Sequence, residues 1–582
     1  MRRSPFVVTG AVCALVMELG TLGGCRRAEP EAALVSNLAS ASAPAPAPVA
    51  PPAPPPPQPA STPSANLFGA NGGAPRGSGG GTALGIGSLG TKGRGGGLSA
   101  YGTGMGGRGS VSASASGTRS VSAHRFTDAA PATSGRDVNT FVTAAEDRLS
   151  TFAIDVDTAS YTRARRSLLE GTPPAPDAVR VEEFLNYFHY AYPEPQDAPF
   201  AVHLDAAPSP FTPGHHLLRV GLQGRRLSVS ERKPAHLTFL VDISGSMASP
   251  DKLPLAQRSL RLLVDNLRDG DTVALVTYAG GVRLVLPPTG LEHKARIHAA
   301  IEALTAGGST AMASGIELAY QQAARHLDGR SLSRVIILSD GDANVGPTSS
   351  MDILGLIRGH VKEGITVTTV GFGMGNYKDS MMERFADQGN GNHYYVDSLF
   401  QARRIFQEEL GGTLEVIAQD VKLQVEFDPA QVERYRLVGY ENRALADRDF
   451  RDDKVDAGEL GSGHTVTALY ELVLKPGAGE GLATVHLRAK APRGEQASEH
   501  AWRFPATALV PAFSQASADL RFATAVMGGA EILRGSPHAK GWTLEQVVKV
   551  ARGATPASNT ERQEFVSLMR RARPLSASLA PP

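Results

Sequence analysis

The sequence predicts an α/β protein built on a doubly wound, mainly parallel sheet, flanked by β-rich sequence and ending in a helical segment. Three observations carry this reading. Between about residues 234 and 410, short continuous apolar runs alternate with helical periodicity, as expected for strands buried on both faces and joined by crossover helices. On either side of that stretch, apolar and polar residues alternate one by one, the pattern of antiparallel strands with one covered face. After about residue 520 the pattern settles into the 3.6-residue period of amphipathic helices. The chain has 582 residues, enough for several domains, and a formal net charge of +1. That balance gives no reason to expect a nucleic-acid partner, and none is expected.

Residues 1–136 stand apart by composition. Arg2 and Arg3 precede the mostly apolar stretch Phe6 to Met17, and Leu22-Gly23-Gly24-Cys25 follows. This is the layout of a bacterial secretory signal, too short and interrupted for a membrane-spanning helix. The last four residues resemble the lipobox of bacterial lipoproteins, which implies cleavage before Cys25 and a lipid on that residue. Cys13 would leave with the signal, so the exported chain has no cysteine pair for a disulfide, and Cys25 reads as an anchor. A lipid bilayer of the bacterial cell envelope is therefore an expected partner. Arg26, in place of the Asp associated with inner-membrane retention, favours the outer membrane. Residues 26–136 form a linker, Ala/Pro-rich from Ala39 to Pro63 and then Gly- and Ser-rich, without the apolar mass for a core. As an extended polyproline rod, its Pro-rich part would span on the order of 75 Å.

Residues 137–232 read as an α+β segment. Phe152 to Tyr161 runs from a strand into a helix, with Asp157 or Thr158 as N-cap, and Val181 to Phe188 is a second helical patch whose aromatics belong to a core. Asp155-x-Asp157 is not an EF-hand, because Ser160 and Arg166 stand where that loop needs Gly and Glu. It departs from the haloacid-dehalogenase pattern at Ala159, so capping is the better account. Ala201–Leu204 and Leu218–Leu222 alternate as antiparallel strands. His215 and His216 are placed in the turn between them, solvent-exposed; adjacent side chains on extended backbone point apart and share no metal.

In residues 233–412 the expected strands are Leu237–Val241, Val273–Tyr278, Val335–Leu338 and Val367–Phe372, with weaker ones at Arg283–Leu286 and His393–Val396. Helical patterns cover Leu255–Leu267, Ala295–Leu304, Gly315–His326, Ile353–Lys362, Met381–Asp387 and Ala402–Leu410. Asp242-Ile243-Ser244-Gly245-Ser246-Met247 lies where the first strand gives way to a helix, the end of a parallel sheet where ligands bind. Alternate spacing lets Asp242, Ser244 and Ser246 turn their oxygens toward one centre. Oxygen donors without nitrogen or sulfur suit Mg²⁺, Mn²⁺ or Ca²⁺ rather than zinc. Gly307-Gly308-Ser309-Thr310 offers a hydroxyl on a glycine-rich loop, and Asp340 follows the strand Val335–Leu338.

Residues 413–582 return to alternation at Val421–Phe427, Val466–Leu474 and Val485–Ala489, then to helices at Leu520–Leu533, Thr543–Arg552 and Arg562–Arg571. Thr543 and Gln546 fit a capping box. Strands on both sides of the central stretch are expected to share one sheet domain, with the α/β domain inserted between them. The acidic residues from Asp447 to Glu459 read as a solvated loop.

Together, the Asp-x-Ser-x-Ser loop, Thr310 and Asp340 resemble the metal-ion-dependent adhesion site of von Willebrand factor type A domains. The resemblance implies that Ser244, Ser246 and Thr310 hold Mg²⁺ directly or through water, with Asp242 and Asp340 behind its waters. Leu149 to Tyr161, Leu437 to Arg443 and Asp452 to Gly458 are similar to hallmark segments of a bacterial group of A-domain lipoproteins, extending the likeness over about residues 137–575. The implied function is non-enzymatic binding, in which a protein partner supplies a Glu or Asp to the metal. The competing expectations are a structural envelope protein with a stabilising metal and a metal-dependent hydrolase. Against the latter, the sequence has no Gly-x-Ser-x-Gly elbow and no phosphate-binding Walker loop, and no His adjoins the three site loops.

Overall fold

The computed structural model describes residues 138–576, apart from breaks at 229, 310–311, 328, 342–346, 374–378, 410–411, 413 and 479–480. Cys25, the linker and Thr310 lie outside the described residues. The chain begins with β1 (Val142–Thr143), β2 (Leu149–Ala153), α1 (Ala159–Leu169), α2 (Val181–Tyr187), β3 (Phe200–Pro208) and β4 (His215–Gly224). Its middle comprises β5 (Ala235–Asp242), α3 (Leu253–Asp265), β6 (Thr272–Tyr278), β7 (Val282–Gly290), α4 (Lys294–Glu302), α5 (Met312–Ala323) and β8 (Leu332–Ser339), then α6 (Pro347–Lys362), β9 (Ile365–Phe372), α7 (Asp379–Gln388), β10 (His393–Val396) and α8 (Leu399–Arg403). The last third holds β11 (Val416–Phe427), β12 (Val432–Val438), β13 (Gly458–Gly461), β14 (Thr465–Leu474), β15 (Ala483–Lys490), β16 (Ala497–Arg503), α9 (Ala518–Leu533), α10 (Leu544–Gly553) and α11 (Thr560–Ser576).

The central sheet has the order β10-β9-β8-β5-β6-β7, parallel except for β7, which runs antiparallel to β6. Both of its faces are covered, which is why its strands read as unbroken apolar runs. Leu237, Phe239 and Val241 of β5 join Leu260 and Leu263 of α3 on one face; Leu240 joins Ile316 and Tyr320 of α5 on the other. Gly315 lets α5 lie close, since a Cβ there would come 3.0 Å from Tyr278 Cβ and 3.1 Å from Leu240 Cδ1. From β5 the chain moves to β6 and β7 on one side, then returns to β8 on the other. The strand order therefore reverses between β5 and β8, and the carboxyl ends of strands at such a switch point are the usual ligand position in a sheet of this kind.

Two further sheets, β1-β12-β14-β4-β3 and β13-β11-β15-β16 with β2 against β11, face each other across one apolar core. That core includes Val220 and Leu222 of β4, Tyr470 of β14, Leu423 and Val425 of β11, and Leu487 of β15. Strands from either side of the central domain pair directly: β4 runs against β14 from His215↔Val473 to Gln223↔Thr465, and β2 against β11. The result is a sandwich of two sheets rather than a single one. The helices α1, α2, α9, α10 and α11 form a second core with the outer face of the first sheet, where Phe184, Phe188, Phe522 and Phe565 meet Leu217 and Leu469. The Thr543–Gln546 capping box is present at α10. No helix among the described residues is long and apolar enough to cross a membrane.

Four local expectations need correction. Thr158 is the N-cap of α1, but its side chain makes no capping bond; Glu183 of α2 accepts from Ser160 N in the first turn (2.7 Å), and Asp157 accepts a hydrogen bond from His393 N (2.8 Å). His215 and His216 open β4 rather than lying in a turn, and His215 Nδ1 is 2.6 Å from Glu471 Oε1, so the pair is not simply solvated. The helix at Ala402–Leu410 starts earlier, at Leu399, and widens into a π-turn over Arg404–Glu408, where buried Arg404 reaches Glu409 and the Tyr187 carbonyl. The acidic stretch is anchored: the Asp449 and Asp452 carbonyls accept from Lys422 Nζ, and Asp453 pairs with Arg488.

Candidate metal centre

Asp242 is the last residue of β5 and fully buried. One carboxylate oxygen, Oδ1, accepts from Ser244 N (2.8 Å); the other, Oδ2, accepts from Ser339 Oγ (3.0 Å). After Asp242 the backbone makes a short 3₁₀ turn, Gly245–Ala248, that leaves Ser244 Oγ and Ser246 Oγ 3.1 Å apart. Ser244 is buried and Ser246 is half-buried, so the pair faces outward on one side only.

The glycine-rich loop is pinned to this turn by backbone hydrogen bonds, from Gly245 N to Gly308 O (3.0 Å) and from Gly307 N to Ile243 O (2.7 Å). Gly308 has φ +90° and lies so close to the next loop that a Cβ would come 3.0 Å from Gly280 N, which explains the glycine there. Thr310, two residues farther on, is outside the described residues. Asp340 follows β8 and is buried. Its Oδ2 accepts from Lys252 Nζ (2.8 Å), and the same ammonium donates to the Ser246 carbonyl (3.0 Å). Gly341 N donates to Ser339 Oγ (3.1 Å), so one hydroxyl ties the Asp340 turn to Asp242.

Asp242, Ser244, Ser246 and Asp340 thus come together as their sequence pattern suggests. Ser339 and Lys252 also belong to the constellation, although no motif in the sequence marks them. Burial pushes the Asp242 carboxyl up; the Ser244 hydrogen bonds oppose this, the Asp340 charge adds to it, and the Ser339 hydroxyl opposes it. Two carboxylates held in a site of low polarity repel, and a cation between or before them relieves that repulsion. The donors are all oxygen, and the ammonium of Lys252 already stands in as a cation beside Asp340. This chemistry fits Mg²⁺, with Mn²⁺ or Ca²⁺ as alternatives.

Two other charged clusters among the described residues involve protein partners. Two of the hallmark segments meet beside α7: Arg443 lies 3.3 Å from Asp155 Oδ2, 3.5 Å from Asp157 Oδ2 and 3.0 Å from Asp387 Oδ1. Burial, and then the neighbouring Asp155, push the Asp157 carboxyl well above its usual range. Asp155-x-Asp157 is therefore a buried joint rather than an open nucleophile. Asp420, Asp456 and Glu459 have oxygens within 4.8 Å of one another, but Lys490 meets Asp420 (2.6 Å) and Asn390 donates to Glu459 (2.9 Å). His393 Nδ1 is bonded to Thr369 Oγ1 (2.8 Å) and His360 Nδ1 to Glu363 (2.8 Å), and neither is hydrogen bonded to Ser246.

The profile of the von Willebrand factor type A domain matches residues 236–408, and a second von Willebrand factor profile matches residues 133–219. The C-terminal profile of "Uncharacterized protein YfbK" matches residues 412–480 and 475–575. Over 463 residues the chain is 38% identical to the uncharacterized protein YfbK of Escherichia coli (strain K12), a match spanning 74% of this chain and 79% of that one. Over 193 residues it is 29% identical to the uncharacterized protein sll0103 of Synechocystis, spanning 33% of this chain and 44% of the relative. Among solved structures, von Willebrand factor type A from Catenulispora acidiphila aligns at 18% identity and a TM-score of 0.40, over 66% of this chain and 91% of that one. None of these names states an activity.

Proposed function

Because the chain belongs to the family of Escherichia coli YfbK, in which a von Willebrand factor type A domain is joined to a YfbK C-terminal domain, we propose that it is a divalent-metal-dependent protein-binding module. Type A domains are generally protein-interaction modules, and the convergence of Asp242, Ser244, Ser246 and Asp340 at the carboxyl ends of β5 and β8 carries the more specific reading. Ser244, Ser246 and Thr310 would hold the metal, Mg²⁺ first among Mg²⁺, Mn²⁺ and Ca²⁺, with Asp242 and Asp340 behind them. When bound, the metal offers a concentrated positive charge to an incoming carboxylate. The chain's own residues prepare that place. Ser339 and the Ser244 amide fix the Asp242 carboxylate, Gly308 holds the glycine-rich loop against the Ser244 turn, and Ser246 is only half-buried. The partner is a protein that presents a Glu or Asp. The lipid on Cys25 would tether the module in the bacterial cell envelope, at the outer membrane as Arg26 favours, with the linker carrying the folded part away from the bilayer.

A non-enzymatic role is part of this proposal. A nucleophilic serine needs a positioned base, and the cation beside Ser246 is the ammonium of Lys252, a donor without acceptor capacity. The test is a crosslinking pull-down from envelope with the exported chain and its Asp242→Ala variant, each with Mg²⁺ and with EDTA. A partner captured only by the metal-loaded wild type is the expected result. The same partners in all four samples would place the function in the flanking domains and leave the centre structural.

A further inference from the structure

We propose that Lys252 is a positioning residue that sets the metal affinity of this centre: a tethered monocation that a dication must displace from Asp340. The inference rests on the metal reading above and goes beyond it in naming the competitor. Three features show that the lysine is seated rather than draped. Its side chain is only 18% exposed, and its ammonium bridges two of the site loops, donating to the Ser246 carbonyl and to Asp340 Oδ2. Its stem lies along Gly373, where a Cβ would come 2.4 Å from Lys252 Cε and 2.6 Å from Cγ. Gly373 itself has φ +77°, and its carbonyl accepts from Tyr395 Oη (2.8 Å), so this residue is fixed in place and leaves room for the lysine stem.

The electrostatic consequence follows from the formal charges. Asp242 and Asp340 contribute two negative charges and Lys252 returns one, so the centre attracts a dication with half the charge its carboxylates could supply. Asp340 is almost fully buried, where such charges act through a poorly polarisable medium and small changes in charge have large effects. Metal binding is thereby weakened when no partner is present. A partner carboxylate then adds the negative charge that the lysine cancels, so the metal and the partner bind each other's complex better than either binds alone. The same lysine keeps the Ser246 turn and the Asp340 turn in register, and its role is to poise the site without joining the metal's own ligands.

The test is a Mn²⁺ titration of the exported chain, read by the electron paramagnetic resonance signal of the free ion, for wild type, Lys252→Met, Lys252→Gln and Asp242→Ala. The Met and Gln variants should bind Mn²⁺ at least about tenfold more tightly than wild type, while Asp242→Ala loses binding. Equal or weaker affinity in both Lys252 variants, with wild-type binding still dependent on Asp242, overturns this inference and spares the metal reading. No Mn²⁺ binding by the wild type overturns both. The wild type also gives an answer that needs no substitution: adding Mg²⁺ should raise labelling of Lys252 by an amine-reactive reagent severalfold, and unchanged labelling overturns the displacement.

Discussion

Ser339 shows how one hydroxyl can hold a site together. It donates to Asp242 Oδ2 and accepts from Gly341 N, joining the ends of neighbouring strands β5 and β8. Ser339→Ala leaves a buried carboxylate oxygen and a backbone amide each short of a partner, so a loss of about 1–3 kcal/mol is expected in urea denaturation. Asp242, Ser244, Ser246 and Asp340 could be singled out from the sequence because three of them lie within five residues and the fourth directly follows a strand whose apolar run is unmistakable. Ser339 was not legible: it reads as the last residue of a buried strand, and its role exists only because β8 lies beside β5. Lys252 was hidden for a related reason, since ten positions separate it from Asp242 and only the path of the β5–α3 loop brings it back.

At the level of elements, α7 is held by charge as much as by packing. Glu383 and Asp387 on one of its faces meet Arg443 and Arg180, and Arg443 also meets Asp155 and Asp157 from the loop before α1. Replacing Arg443 by Met would leave these carboxylates buried around a missing cation, and a loss of roughly 3–5 kcal/mol is expected. Hydrogen exchange should find the loss concentrated in α7 and β10 if this joint is local. The same physics explains which strands could be read. The strands of the central sheet were visible because burial on both faces demands apolar side chains. β12 was missed although it lies inside the first sandwich sheet, because its Arg436 is fully buried between Glu471 (2.9 Å) and Glu531 (3.3 Å). A buried ion-paired arginine is indistinguishable, in a hydropathy pattern, from an exposed one. Arg436→Met leaves Glu471 with His215 and Glu531 with Arg534 and Ser536, so a smaller loss of about 1–3 kcal/mol is expected in urea denaturation. The polar edge strand β16 escaped notice for the opposite reason, its side chains being mostly solvated.

Across the whole molecule, Glu182 of α2 sits where the helical layer meets the sandwich. Burial, then Glu441 and Asp155, push its carboxyl up to about 7, against the hydrogen bond donated by Tyr440 N; Arg534, at the C-terminal cap of α9, also acts on it. A carboxyl whose folded pKa lies above its ordinary value of 4.5 contributes stability that is complete below that value and lost as pH rises through about 7. Wild type should therefore lose on the order of 3 kcal/mol between pH 5 and pH 8 relative to Glu182→Gln, seen as a converging pair of melting curves. The insertion of one domain into another was legible only in outline, because alternation announces strands but not their partners. Its closing contact is small: Lys233 N donates to Glu415 Oε2 (3.1 Å), so the chain leaves the sandwich and re-enters it at almost the same place. This has a consequence for the order of assembly. The early strands must wait for β11 and β14, with the entire inserted domain between, and closing so long a loop is entropically costly. If the inserted domain folds first, it brings its two ends side by side, and the remaining search becomes that of a short turn. Pulse-labelled exchange during refolding should then find β5 and β8 protected before β4 and β14; simultaneous protection would mean the halves of the sandwich find each other unaided.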